Sequence, residues 1–167
     1  MMENINLYNK KAKTKIKELA EGIDFTMMAT DLEEKPFHAV PMSTKKVDEH
    51  GDIWFLSGKD SEHNANILKD KKVVLIYSKP SEMNFLKIYG DAYIRTNEPI
   101  FEELYKKSDD MWFKGIKDPN LSAIQIKPLE AYYWEAKNNT FITLFKMGLG
   151  FITGDQPEVS NSGKLDL

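Results

Sequence analysis

Between Ser57 and His63 the chain reads Ser-Gly-Lys-Asp-Ser-Glu-His, a polar loop set between a strand-like run and a helix-like run. Free N–H groups at a helix start, with about half a positive charge from the macrodipole, attract anions. Lys59 adds a cation, Ser61 a hydroxyl donor and His63 an imidazole donor, a set of groups suited to a phosphate. An ordinary capped turn with exposed polar side chains accounts for the same residues. A second segment, Phe37-His38-Ala39-Val40-Pro41-Met42-Ser43-Thr44, carries a proline inside a strand-like run. Proline cannot donate to a sheet ladder, so Pro41 marks a strand edge or a break in pairing. Past such a break the backbone of Met42, Ser43 and Thr44 is free to bond something else. A planar heterocycle with alternating donors and acceptors, such as the pyrimidine edge of a flavin, would suit it. A kinked edge strand with nothing bound is the plainer alternative.

Other chemistries find little support. The chain of 167 residues has no cysteine, which excludes disulfides, thiolate metal sites and cysteine nucleophiles. His38, His50 and His63 lack helical metal-ligand spacing, so no metal site is expected. No serine stands in a nucleophile elbow. Gly148-Leu149-Gly150 with Gly154 resembles part of a dinucleotide fingerprint, but only thirteen residues follow Gly154, too few for a βαβ unit. The Asn138-Asn139-Thr140 sequon has no role in a protein without a secretory signal. Basic and acidic side chains number 23 and 26, for a net charge of −3, which argues against nucleic acid as a partner. No apolar run approaches the roughly 20 residues of a membrane-spanning helix. The start, MMENINLYNKKAKTK, has positive charge but no apolar core, so a cytoplasmic location is expected.

The elements that would position these groups are readable from periodicity. Ala12, Ile16, Leu19, Ala20 and Ile23 form one apolar stripe, which predicts an amphipathic helix over residues 8–22. The five lysines around it read as a solvated face, with a polyanion-binding face as the alternative. From Asp24 the pattern turns to short β-type runs: Phe25–Thr30, Phe37–Met42, Ile53–Leu56, Val73–Tyr77 and Phe85–Ile94. A last pair of segments, Ala123–Ile126 and Ala131–Trp134, flanks Pro128. Six strands at short spacing predict a barrel or sandwich rather than a βαβ sheet. Gly90 inside a strand predicts a bulge or bend. Short helices are expected over Ser61–Leu68, with Asp60 or Ser61 as cap, and over Ile100–Lys107, opened by Asn97 and Pro99. Phe141–Leu149 is either a helix or a strand. Trp54 and Trp134 belong to a core or a subunit interface, while Trp112 lines a pocket or plugs the barrel end. A domain over residues 1–152 and a mobile or surface-draped tail over 153–167 complete the plan.

Taken in order, these segments resemble the pyridoxamine phosphate oxidase-like FMN-binding split-barrel superfamily, and within it the general stress protein group. The resemblance runs from about Lys13 to about Gly154. It rests on FTMMAT (25–30), His38-Ala39-Val40-Pro41-Met42, Asp52-Ile53-Trp54-Phe55, DSEHNANI (60–67), Tyr89-Gly90-Asp91-Ala92, Trp112-Phe113-Lys114-Gly115, Asp118-Pro119-Asn120-Leu121, PLEAYYWE (128–135) and Leu144–Gly154. It implies a mainly β (α+β) fold, a six-stranded antiparallel split β-barrel with peripheral helices, forming a homodimer with FMN at the subunit interface. Pro41, Met42, Ser43 and Thr44 would run along the ring, with Phe55, Leu56 and Ser57 beside it. Ser61 and His63 would bind the phosphate with Asn64 nearby, and Trp112 would close over the site. His38 stands in a segment where the family usually has arginine, and His63 where it has lysine. The C-terminal arginine and histidine of true pyridoxamine phosphate oxidases have no counterpart in VSNSGKLDL (159–167), so vitamin B6 oxidation is not expected. The implied function is flavin binding in redox or stress physiology, either as an oxidoreductase of unknown substrate or as a non-enzymatic flavin-binding or interaction protein. FAD or a deazaflavin is the alternative ligand. His38, Tyr89 and Trp112 are pocket candidates, and no residue stands out as a general acid or base.

Overall fold

An amphipathic helix needs an apolar wall to lie against, and here one curled sheet supplies it. The computed structural model describes residues 3–4, 7–136 and 160–167. Helix α1 (Asn9–Gly22) buries Ala12, Ile16, Leu19 and Ala20, the stripe expected from the 3.6-residue period, with Ile23 buried just past its end. Among the described residues the strands are β1 (Glu3–Asn4), β2 (Leu7–Tyr8), β3 (Thr26–Thr30), β4 (His38–Met42), β5 (Lys46–Val47), β6 (Ile53–Gly58), β7 (Lys72–Lys79), β8 (Asn84–Arg95), β9 (Leu121–Ala136) and β10 (Ser160–Asp166). Helices α2 (Glu62–Lys69) and α3 (Glu98–Leu104) interrupt them.

All ten strands join one sheet, with the order β1-β10-β9-β8-β7-β3-β4 and with β6 attached to β9. Side chains alternate between its faces. In β7, Val73, Leu75 and Tyr77 point into the core while Ile76 and Ser78 stay exposed. Strand β9 pairs with β8 along one edge from Ala123 to Trp134. Its other edge is divided: Leu121–Ile126 pairs with β6, and Ala131–Ala136 pairs with β10. The sheet therefore branches along β9 and curls into a half-barrel. One apolar cluster fills its concave side, including Met28, Phe55, Leu75, Ile88 and Tyr133. A smaller one joins Trp54, Phe101, Leu104, Leu121 and Ala123 beside α3.

The six long strands β3, β4, β6, β7, β8 and β9 stand where six strands were expected, and the paired segments around Pro128 are one strand. Among the described residues the sheet nevertheless has ten strands, not six. Strands β1, β2 and β5 are two residues each, too short to carry a period. Residues 160–166 correct the expected tail: SNSGKLD has no hydrophobic alternation, yet its backbone pairs antiparallel with Ala131–Ala136 and Leu165 is fully buried. Residues 153–159, the segment Phe141–Leu149, the glycines 148, 150 and 154 and the Asn138 sequon lie outside the described residues.

Two positions follow from close approach. Pro41 sits on β4, which ends the sheet order and, among the described residues, pairs only with β3, so a missing N–H is tolerated there. At Gly90 the β8/β9 register shifts, and a Cβ there would come within 2.5 Å of the Lys127 carbonyl oxygen. That is the expected bulge, and only glycine fits it. Gly90→Ala is expected to destabilise the protein by about 1–3 kcal/mol in urea unfolding, because the backbone must move; a change below about 0.5 kcal/mol would show that the bulge yields freely.

Candidate functional site

Ser61 ends the loop after β6 and caps α2, its Oγ accepting from the Asn64 backbone N–H at 3.3 Å. The loop itself is pinned from β9. The Asn120 carbonyl accepts from Lys59 N–H at 2.7 Å, and the Asn120 side chain exchanges bonds with the Asp60 backbone N–H and carboxylate at 3.1 and 2.8 Å. Below the first turn of α2 lies a buried polar knot. Ser57 Oγ donates to Asn64 Oδ1 at 2.7 Å, Asn64 Nδ2 donates to Ser122 Oγ at 2.8 Å, and Ser122 Oγ donates to the Ser57 carbonyl at 3.0 Å. The three residues are at most 4% exposed, so the bonds replace hydration that burial removed. A fourth tie, Asn66 Nδ2 to Thr30 Oγ1 at 3.1 Å, fastens the helix to β3.

This anchoring brings two histidines together. His38 opens β4 opposite Thr30, on the same face of the sheet as Val40 and Met42. His63 lies in the first turn of α2. The Nδ1 of His38 is 3.5 Å from Glu62 Oε1, and the Nε2 atoms of both His38 and His63 are sealed from solvent without a hydrogen-bond partner. Burial lowers the His63 pKa from its ordinary value; a charge on His38 lowers it further, and Glu62 opposes both. Two unmet imidazole nitrogens from different elements lie beside a capped helix start, and they can donate to an anion when a proton sits on Nε2.

The remaining expected site residues are spread around this point. Met42 is half-buried against the core, and Pro41 and Ser43 are exposed. The Thr44 hydroxyl lies 2.7 Å from the Tyr77 hydroxyl; burial pushes that phenol up, against the Thr44 bond. Alternation along β6 separates Phe55 and Ser57 from Leu56. Phe55 is fully buried in the main cluster, and Leu56 packs on the smaller one. Ser57 and Asn64 spend their side chains in the buried knot, so they position the site rather than face it. Lys59 is exposed, and its charge acts on Asp118. Tyr89 stands on the opposite face of the sheet from His38, with Lys72 Nζ 5.7 Å from its ring centre. Trp112 is 76% exposed. Ser122, Asn120, Asn66 and Thr30 are not among the expected site residues, although Asn120, Asn66 and Thr30 lie in motifs that carry the resemblance. An open cleft of about 460 Å³ lies elsewhere, between α1, β5 and α3, and its charges are already engaged, as in Lys17–Glu21 and Lys46–Glu103.

The sequence matches the family model described as pyridoxamine 5'-phosphate oxidase like over residues 11–158. No curated protein matches it. The crystal structure of general stress protein 26 from Bacillus anthracis str. Sterne superposes with a TM-score of 0.64 at 20% identity, covering 72% of this chain and 92% of that one. A protein related to general stress protein 26 from Clostridium acetobutylicum gives 0.65 at 20% identity, over 76% and 90%. The general stress FMN/FAD binding protein from Xanthomonas citri gives 0.67 at 23% identity, over 78% and 93%. These likenesses establish a shared fold, a mainly antiparallel β sheet curled into a half-barrel.

Two outcomes test the site. Asn64→Ala removes the acceptor of Ser57 Oγ and a donor to Ser122 Oγ, leaving the Ser57–Ser122 bonds but cutting α2 out of the knot. It is expected to cost about 1–3 kcal/mol in urea unfolding, and a loss under about 0.5 kcal/mol would mean the knot does not anchor α2. A histidine whose folded pKa is depressed supports the fold above its unfolded value of about 6.5 and withdraws that support as pH falls. Stability should therefore decline from pH 7 toward pH 5, and less steeply in His63→Gln; parallel pH profiles would contradict the depressed His63.

Proposed function

The chain belongs to the pyridoxamine 5'-phosphate oxidase-like family, and from that membership we propose that it binds a flavin, FMN in the first instance, with the phosphate between β4 and the start of α2. The observation that carries this reading is the pair of buried, unpartnered Nε2 atoms on His38 and His63. Buried polar atoms are ordinarily satisfied, and an anion with several acceptor oxygens would satisfy both. The residues present thus fit the anionic tail of a flavin nucleotide. The free edge of β4 offers the polar backbone that a flavin ring would need along Met42, Ser43 and Thr44.

When bound, a flavin supplies hydride or electron transfer. The protein's own contribution is binding and orientation. Ser61 and the buried knot fix the helix start, His38 and His63 hold the anion, and Tyr77 holds the Thr44 hydroxyl in one orientation. On the outer face Met27 pairs in register with Pro41 and with Ile76, and Met27 and Ile76 are 42% and 47% exposed. That apolar patch supports a homodimer; the flavin at the subunit interface and Trp112 drawn over it are expectations carried over from the family resemblance, and the cytoplasmic location is one carried over from the sequence.

Freshly purified protein is expected to show the near-ultraviolet and blue absorption bands of an oxidised flavin, and mass spectrometry of the released ligand to identify FMN, FAD or a deazaflavin. His63→Ala should weaken FMN binding by about 1–3 kcal/mol. Equal affinity in wild type and variant would misplace His63, and absence of saturable flavin binding would overturn the reading. Turnover of NADH or NADPH to an acceptor separates an oxidoreductase from a flavin-binding protein without catalysis.

A further inference from the structure

We propose that the anion seat between β4 and α2 is proton-gated: His38 and His63 take up a phosphate-type dianion together with a proton, so affinity rises as the medium acidifies. This rests on the flavin-phosphate reading of the same site and adds its regulation. A lysine or arginine would hold a phosphate at any physiological pH, whereas an imidazole does so with full charge only after protonation.

The geometry makes that condition strict. Glu62 Oε1 faces Nδ1 of His38 at 3.5 Å, so the proton of a neutral His38 belongs on Nδ1. Its buried Nε2 then carries a lone pair, which repels an anionic oxygen. Protonation turns that nitrogen into a donor. His63 is close enough for the two ring charges to oppose each other, and its burial also disfavours charge. Free protein therefore resists holding both rings as cations. A dianion placed against both Nε2 atoms reverses this balance, since opposite charge nearby favours the imidazolium and offsets the mutual repulsion. Ligand and proton then strengthen each other's binding by the same factor.

The neighbouring charges leave the pair in control. Glu62 is the carboxylate that faces it from α2, and β3 (TMMAT) has no ionisable side chain. On β8, Asp91 is held by Lys72 and Lys71 at 2.5 and 3.1 Å, Arg95 bonds Gln125 at 2.9 Å, and Lys87 lies over Tyr132. Tyr89 and Tyr93 accompany Lys72 and Lys71. At the far end of α2, Lys69 pairs with Asp31 at 3.4 Å. Lys59 is exposed beyond the cap, and Asp60 is bonded to Asn120.

The test compares FMN with riboflavin, which lacks the phosphate, by fluorescence titration of flavin-stripped protein at pH 8.0 and pH 6.5. This range stays above the phosphate's own second ionisation near pH 6. Uptake of one proton is expected to lower the FMN Kd by up to about thirtyfold over this range of 1.5 pH units. Riboflavin affinity should stay flat, and the double variant His38→Arg/His63→Lys, checked for native circular dichroism, should bind FMN with little pH dependence. An FMN Kd equal at both values would overturn the gate while leaving flavin binding intact. If neither flavin binds, the functional reading fails, and the gate is then decided with inorganic phosphate as probe. Imidazole NMR titrations should show phosphate moving the His63 midpoint upward, and an unmoved midpoint would overturn it.

Discussion

The arrangement depends on a small buried constraint, the hydrogen-bonded knot of Ser57, Asn64 and Ser122. It joins the end of β6 and the first turn of α2, neighbours in sequence, to the start of β9, where Ser122 lies 58 residues beyond Asn64. Because all three side chains are shut off from water, separating any of them leaves donors or acceptors unmet in a low-dielectric interior. The helix start is thereby held in one orientation over the sheet, and the orientation of His63 follows. Apolar packing alone, supplied by Ile67 on the same helix, would resist separation but would specify rotation less sharply.

The branching of the sheet along β9 is the second requirement. With β6 on one half of its edge and β10 on the other, the sheet curls and β4 is left as a terminal strand. Pro41 suits that position, and the alternation of β4 turns His38 inward while Ala39 and Pro41 face out. The inner face therefore presents a conditional cation from the strand beside another from the helix. On the outer face Met27 of β3 and Ile76 of β7 are exposed.

Much of this was legible in the sequence, for reasons that differ by element. The α1 stripe and the alternation of β7 report directly on burial, so periodicity found them. Pro41 and Gly90 were legible because each residue type has a narrow conformational or steric use, and the structure places both where that use applies. The Ser61 cap was readable for the same reason. The knot was not: Ser57 and Ser122 are ordinary serines within strands, and their meaning arises only when β6 and β9 pair. Strand β10 escaped because its pairing rests on backbone bonds and one buried leucine rather than on a pattern. Alternation and burial turn the Ser57 and Asn64 side chains toward Ser122.

The central claim, that an anionic ligand tail lies between β4 and α2, is met most directly by a crystal structure of the protein grown with FMN. The account predicts phosphate oxygens about 2.7–3.2 Å from Nε2 of both His38 and His63. A phosphate pointing to solvent, or a flavin seated in the cleft beside Trp54 with both imidazole nitrogens still unpartnered, would contradict it.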